Sequence, residues 1–254
     1  MNEVKNFRKI GCNECLNGAG LDFDFSMAFQ PIVDISSKAV FAQEALVRGI
    51  GGLPAGEVFK NVNADNIYAF DQACRVKAIN LASKLNMDSL LSINFMPNAV
   101  YRPELCIRTT LAAAEEFDFP VDQIMFEVTE SEKVKDVPHL QSIINHYQKQ
   151  GFVTALDDFG AGYSGLNTLA DLEVDVLKID MYLVRDIDTN PRKHAIVRGI
   201  VATCQELGVK IIAEGVETKN EFAALREFGI ELFQGYYFAR PSYETLADIA
   251  WHKV

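Results

Sequence analysis

An α/β barrel of eight strands, with its first strand antiparallel to the rest, is the fold that the sequence predicts. Short apolar runs alternate with helical stretches along most of the chain, a pattern typical of strands joined by helical crossovers. The length of 254 residues lies in the range of one barrel domain. We therefore expect a TIM-like (β/α)8 barrel. An open doubly wound sheet is the alternative, which the lack of a GxxxxGKS/T phosphate loop disfavours.

The first two predicted strands form a hairpin. Residues 26–35 and 39–48 are both strand-like runs, and only Ser36, Ser37 and Lys38 lie between them. A connection of this length cannot make the crossover that parallel strands need. The first strand should therefore run antiparallel to the second.

Beyond the hairpin, helices and strands alternate. The predicted helices cover residues 66–86, 104–116, 139–150, 193–207 and 219–228. The predicted strands lie near residues 90–96, 123–128, 153–157, 176–179, 210–213 and 232–233. These six strands and the hairpin make up the eight strands of the barrel.

Composition and charge exclude several classes of function. Apolar residues make up 49% of the chain, which is enough for a large core, and the net charge of -11 disfavours binding to duplex nucleic acid or an anionic membrane. The sequence has no apolar run long enough to cross a bilayer and no signal peptide. Five cysteines, an odd number, favour a reducing compartment. These features predict a cytoplasmic protein without membrane insertion.

Residues 1–20 are predicted to be a short flexible leader, followed by one domain over residues 21–254. The leader contains a CxxC pair, Cys12 and Cys15, and no second pair follows. Two free thiols are one interpretation, and half of a zinc site shared between subunits or a redox pair is the other.

Charged and amide side chains stand at or near the carboxyl ends of most predicted strands. They are Glu44, Asn94, Glu127 and Glu130, Asp157 and Asp158, Lys178 and Asp180, Glu214 and Glu217, and Gln234. In an α/β barrel these ends form the catalytic face. Carboxylates gathered there would repel one another unless cations compensate them. Oxygen ligands without clustered histidines favour Mg2+ or Mn2+ over zinc.

The adjacent pair Asp157 and Asp158 is suited to holding two ions, one carboxylate bridging both. Because neighbouring strand residues face opposite sides, Asp158 should lie just past the end of its strand. Taken singly, such residues have simpler explanations. The aspartate pair could be a turn or helix cap, Asn94 a satisfied core amide, and Lys178 or Glu217 a solvated charge. The prediction depends on their meeting at one rim.

An ordered set of motifs resembles the EAL phosphodiesterase family over residues 26–242. The set comprises Phe29-Gln30-Pro31-Ile32, Glu44-Ala45-Leu46-Val47-Arg48, Asn94, Glu127-Val128-Thr129-Glu130, Asp157-Asp158-Phe159-Gly160, Lys178-Ile179-Asp180, Glu214-Gly215-Val216-Glu217 and Gln234-Gly235. Two positions depart from the family pattern, Gly165 after Ser164 and the segment Met181-Tyr182-Leu183. Neither departure removes a ligand that the resemblance implies.

The resemblance implies a role for each of these residues. It implies two divalent cations, Mg2+ or Mn2+, the first held by Glu44, Asn94, Glu127 and Asp157 and the second by Asp157 and Asp158. It implies catalytic roles for Lys178, which would position the attacking water, and for Glu214, Glu217 and Gln234. Substrate contacts would come from Gln30, Glu44, Leu46, Arg48 and Asp180. Glu130 would support the loop after the fifth strand, which in the family contributes to a homodimer contact and couples partner domains to the site.

The function implied by the resemblance is hydrolysis of cyclic di-GMP to linear pGpG by metal-activated water. A catalytically silent cyclic di-GMP receptor or regulatory module is the alternative, and the complete acidic set favours the enzyme. A scaffold acting through partner contacts is a third hypothesis, which predicts binding that does not depend on metal or on Glu44. Regulation would require a regulatory protein partner, self-association or the CxxC segment.

Overall fold

A computed structural model describes residues 21–96, 103–129, 137–161 and 165–254. The predicted leader, with Cys12 and Cys15, and the predicted loop support, Glu130, lie outside these residues, so both remain predictions. Within them, no helix combines the length and the apolar character needed to cross a membrane.

The strands form one closed sheet. They are β1 (Ser26–Asp34), β2 (Ala39–Arg48), β3 (Leu90–Phe95), β4 (Ile124–Thr129), β5 (Val153–Phe159), β6 (Val176–Ile179), β7 (Lys210–Ala213), β8 (Leu232–Gln234) and β9 (Ser242–Tyr243). Neighbours from β2 to β8 pair in parallel, and β1 closes the barrel by pairing antiparallel with both β2 and β8. The predicted barrel with a reversed first strand is confirmed, and the open sheet is excluded.

Helices connect the strands on the outside of the barrel. They are α1 (Ala55–Phe59), α2 (Ile67–Lys84), α3 (Pro103–Cys106), α4 (Arg108–Glu116), α5 (Val137–Lys149), α6 (Leu166–Asp171), α7 (Met181–Val184), α8 (Pro191–Leu207) and α9 (Lys219–Glu227). The predicted helices correspond to α2, α3 with α4, α5, α8 and α9. The short helices α1, α6 and α7 and the two-residue strand β9 were not predicted, because elements of this length contain too few residues to show a period.

Two helix N-caps set the shape of the loops at the carboxyl ends of the strands. The side chain of Asp180 begins α7 by accepting a hydrogen bond from Tyr182 N at 2.8 Å. At α9, Thr218 accepts from Glu221 N, and the Glu221 carboxylate accepts from Thr218 N, which forms a capping box. These local hydrogen bonds set the direction of the chain after β6 and β7.

A small apolar cluster fills the interior of the barrel and is called here the inner apolar layer. It consists of Ile32, Ala42, Met125, Ala155, Val176, Ile212 and Leu232, all of them buried. A separate and larger cluster packs the strands against the helices. The strands are therefore buried on both faces, as is usual for parallel sheets.

Replacing Gly235 with alanine is expected to lower the free energy of unfolding by at least about 2 kcal/mol. Gly235 follows β8 with φ of +154°, and a Cβ there would lie 2.1 Å from Val216 O and 2.4 Å from Val216 N. Urea denaturation measures the change. Gly199→Ala is the matched control, because a Cβ at that helical position meets nothing within 4 Å. The control should gain about 0.5–1 kcal/mol. Equal stability of the two variants would contradict the expected clash.

Candidate active site

Six of the predicted site residues lie in the layer directly above the inner apolar layer. Side chains two residues apart in a strand lie on the same face, so each strand that supplies an apolar residue can supply a polar one to the next layer. Six strands do so, with the pairs Ala42 and Glu44, Met125 and Glu127, Ala155 and Asp157, Val176 and Lys178, Ile212 and Glu214, and Leu232 and Gln234. The barrel therefore brings residues that are far apart in sequence into one ring.

Lys178 lies at the centre of this ring and is 1% exposed. Its Nζ lies 2.7 Å from Glu214 Oε1, 2.8 Å from Glu127 Oε1 and 3.0 Å from Asp157 Oδ1. Glu44 Oε2 is farther away, at 3.7 Å. One ammonium group therefore contacts acids from four different strands or strand ends, which explains how these carboxylates can share a buried space.

Glu44 is oriented by two amides. Its Oε1 accepts from Asn94 Nδ2 at 3.0 Å, and its Oε2 accepts from Gln234 Nε2 at 2.7 Å. β2 continues past Glu44 to Arg48, and it matches the predicted strand over residues 39–48. The strand continues because its antiparallel pairing with β1 extends to the pair Ser26 and Arg48.

Ser92 is a residue of the site that the sequence analysis missed. Its hydroxyl is fully buried and donates to Glu127 Oε1 at 2.5 Å. A signal was available, because Ser92 precedes Asn94 by two residues and therefore shares its face of β3. The other oxygen, Glu127 Oε2, is buried without a hydrogen-bond partner among the described residues. Such an acceptor lies where a cation would satisfy it.

Asp157 and Asp158 face the same site through a distortion of β5. The strand does not end between them as predicted but continues to Phe159, and its pairing with β6 is irregular between Leu156 and Phe159. Asp158 has φ of +57°, in the left-handed region. A bulge of this kind re-aims a side chain, which is how two consecutive carboxylates reach one site.

The carboxylates form two overlapping groups. Oxygen atoms of Glu44, Glu127 and Asp157 lie within 4.8 Å of one another, and so do those of Asp157, Asp158 and Glu214. Asp157 belongs to both groups. The two groups together contain five acids, four of which contact Lys178, so negative charge is in surplus. Their oxygen atoms are the ligand type that Mg2+ and Mn2+ prefer. With the unpartnered oxygen of Glu127, these residues fit divalent cations.

Burial and the surplus of negative charge raise the pKa values of several ionisable groups in this site. Burial raises the pKa of Glu127 to about 8, and burial together with Asp157 raises the pKa of Asp158 to about 6. Burial also raises the pKa of Glu214 well above its ordinary value. Burial acts to lower the pKa of Lys178, but the surrounding carboxylates outweigh it and raise this pKa well above the ordinary value. Lys178 is therefore a permanent ammonium in this arrangement.

A cleft of about 310 Å³ opens above the ring. Eight of the predicted residues line it: Gln30, Glu44, Asp157, Asp158, Asp180, Glu214, Glu217 and Gln234. Met181 and Tyr236 add apolar surface, and Arg240 lies 4.1 Å from the centre of the Tyr236 ring. These two side chains could not be singled out from sequence, because their position depends on where two separate loops meet.

Glu217 lies at the edge of the cleft, away from Lys178. Its carboxylate pairs with Arg185 at 2.9 Å, and Arg185 also contacts Glu221 at 3.2 Å. Glu221 in turn accepts from Glu217 N at 3.0 Å. The contacts of Glu217 thus hold the loop after β7, and its predicted catalytic role remains a prediction.

Leu46, Arg48 and Asn94 line a neighbouring cavity of about 330 Å³. Arg48 donates to the carbonyl of Val47 at 2.7 Å. The hydrogen bond between Glu44 and Asn94 connects the two cavities, since Glu44 lines one and Asn94 the other. The predicted substrate residues therefore divide between two adjacent spaces.

A larger cavity lies at the opposite end of the barrel. It measures about 830 Å³ and is lined by the first residues of strands, including Leu90, Val153 and Lys210. None of the predicted site residues lines it. The size of this cavity therefore does not indicate a catalytic site.

Comparison with known proteins finds similar sequences and structures. The family model of the EAL domain matches residues 16–241. A standalone EAL protein from Vibrio cholerae O395, solved in its c-di-GMP-bound form, is 51% identical with a TM-score of 0.89, covering 92% of this chain and 100% of that one. The manganese and cyclic di-GMP complex of BlrP1 from Klebsiella pneumoniae is 36% identical with a TM-score of 0.82, covering 87% of this chain and 56% of that one.

Among curated proteins, the cyclic di-GMP phosphodiesterase RocR of Pseudomonas aeruginosa is 32% identical over 235 residues. The match covers 87% of this chain and 59% of RocR. The chain thus spans little more than half the length of RocR and BlrP1.

Proposed function

Because the chain belongs to the EAL domain family, we propose that it is a metal-dependent phosphodiesterase that hydrolyses cyclic di-GMP to linear pGpG. One observation carries this proposal: two sets of three carboxylates lie around Lys178, and both sets include Asp157. Similarity to RocR, a cyclic di-GMP phosphodiesterase, and to structures with bound cyclic di-GMP supports the choice of substrate.

We assign one cation to Glu44, Asn94, Glu127 and Asp157, and a second to Asp157 and Asp158. The grouping of the oxygen atoms and the manganese in the BlrP1 complex support this assignment. Glu214 belongs to the second group of carboxylates and would act close to that cation. When bound, the two cations would lower the pKa of a water molecule and neutralise charge on the phosphate.

Lys178 acts as a hydrogen-bond donor and not as a base. Its ammonium is held by carboxylates on several sides, and its raised pKa keeps it protonated at neutral pH. It can therefore orient the attacking water and stabilise negative charge that develops on the phosphate. Gln234 and Asn94 hold the carboxylate of Glu44 in place through their amides.

The substrate would occupy both cavities beside the Glu44 and Asn94 pair. Gln30, which is buried and lines the main cleft, would contact a guanine, and Arg48 would release its contact with Val47 O to bind a phosphate. We assign Leu46 and Asp180 to substrate contacts at the edges of the two cavities. We also infer a homodimer and a regulatory protein partner, which the family resemblance supports.

In the reaction, the oxygen of water forms a bond to one phosphorus and the bond to the ribose 3′-oxygen breaks. The leaving oxygen takes a proton, and the product carries a 5′-phosphate. Incubation of the purified protein with cyclic di-GMP and Mg2+ or Mn2+, with chromatographic separation of the products, tests the proposal. We expect a pGpG peak that EDTA abolishes. Cyclic di-GMP that stays intact and tightly bound in every arm would identify a receptor instead.

A further inference from the structure

A buried ion pair lies in helix α2, behind the proposed metal site. Arg75 Nη2 lies 2.5 Å from Asp71 Oδ2, and the two residues are one helical turn apart. Arg75 is fully buried and Asp71 is 4% exposed. The pair faces the outer surface of the barrel strands, away from the ring around Lys178.

Aromatic rings surround the guanidinium group. Its central carbon lies 5.6 Å from the ring centre of Phe95 and 5.2 Å from that of Phe126. Tyr147 of α5 packs against both rings, with centroid distances of 5.6 and 5.0 Å. Stacking of this kind fixes the plane of an arginine side chain and, through it, the direction of its partner Asp71.

The pair lies against the backs of β3 and β4, two of the four strands that carry proposed metal ligands. Phe95 follows Asn94 in β3, and Phe126 precedes Glu127 in β4, so the rings and the ligands lie on opposite faces of the same strands. Asn94 and Glu127 are themselves register partners. In addition, Asp71 Oδ1 accepts a hydrogen bond from Met96 N at 3.2 Å, directly after the end of β3.

Stability does not explain such a pair. Replacing a buried ion pair with apolar residues of similar volume is often neutral or stabilising, because both charges must be removed from water. What the charged pair adds is a directed acceptor for the N–H of Met96, directly after β3. Groups that hydrogen-bond to metal ligands change metal affinity by about tenfold to a hundredfold. Asp71 acts one step further out, on the backbone two residues after Asn94.

We propose that Asp71 and Arg75 are positioning residues that hold the end of β3, and hence Asn94, in the geometry needed to bind a cation. The inference rests on the proposed function. Arg75 orients Asp71 between the aromatic rings, and Asp71 holds the backbone at Met96. Neither residue belongs to the proposed cation ligands, and Asp71 also lines the cavity that contains Arg48 and Asn94.

Two double variants without the ion pair test this role. Asp71→Leu/Arg75→Met removes the acceptor for Met96 N, whereas Asp71→Asn/Arg75→Met keeps an oxygen at that position. Titration with Mn2+, followed by electron paramagnetic resonance, measures cation affinity without any substrate. We expect the leucine variant to bind Mn2+ about tenfold to a hundredfold more weakly than the wild type. The asparagine variant keeps the acceptor but loses its orientation by Arg75, so its affinity should lie between those of the leucine variant and the wild type.

Thermal denaturation by circular dichroism accompanies each titration, to separate positioning from general loss of stability. Val201→Ala, a core truncation in α8, is the control and should lower the melting temperature without changing Mn2+ affinity. If leucine prevents folding, Asp71→Ala/Arg75→Met takes its place. Wild-type affinity in the leucine variant, or equal weakening in both double variants, would overturn the proposed role. A wild-type protein that binds no Mn2+ would instead overturn the proposed function and this inference with it.

Discussion

Replacing Asp157 with asparagine is expected to lower the rate of pGpG formation by more than about a thousandfold. Asp157 belongs to both carboxylate groups, so its loss weakens both proposed cation sites at once. A thousandfold loss corresponds to about 4 kcal/mol of transition-state stabilisation, within the several kcal/mol that metal ions contribute. Asparagine keeps the size of the side chain, which limits the change to charge and ligand strength.

Initial rates at saturating cyclic di-GMP and Mn2+ measure this effect, and Mn2+ titration shows whether fewer ions bind. Asp122→Asn is the matched control, because Asp122 is an exposed carboxylate just before β4, at the opposite end of the barrel. The control should keep wild-type rates. If Asp157→Asn retained more than a tenth of the wild-type rate, the assignment of the site would be wrong.

The second large effect concerns stability. Lys178→Met is expected to lower the free energy of unfolding in cation-free buffer by about 3–5 kcal/mol, because a buried group of acids loses its only contacting ammonium among the described residues. Mn2+ should restore more stability to this variant than to the wild type, since bound cations supply the missing positive charge. Activity should fall as well, because the donor for the attacking water is gone.

Urea denaturation at one pH, with EDTA or with Mn2+, measures both parts of this prediction. Lys60→Met is the control, because Lys60 forms an exposed ion pair with Glu57 at 2.7 Å. Exposed pairs of this kind contribute little, so the control should change by less than about 1 kcal/mol. A Lys178→Met variant as stable as the wild type without cations would show that the acids do not depend on this ammonium.

Most of the fold was predictable because the apolar runs and the short connection between the first two strands indicate the same barrel. The strands β3, β6 and β7 lie where the apolar runs predicted them, to within a residue. The reversed first strand followed from the short connection between residues 35 and 39. The barrel was predictable as a consequence, because parallel strands with helical crossovers and both faces buried have few ways to pack.

The errors share one physical cause. The residue at which a strand ends depends on its pairing with neighbouring strands, whereas the sequence shows only the apolar run of the strand itself. Pairing with β6 resumes at Phe159, which extends β5 past the bulge at Asp158. Ser92 was missed because a serine in a strand is ordinary until its partner, Glu127, is known.

The sequence by itself determined the class of fold, the strand on which each acid lies and the chemical type of the site. These properties follow from the residue types and from the spacing of apolar residues, with a period of two in strands and about four in helices. A single segment of the chain is enough to show both. Only the tertiary structure decided that Lys178 lies among four carboxylates, that Asp157 is common to two groups, and that Glu217 pairs with Arg185. Those relations join residues from different strands, and barrel closure sets the distances between them.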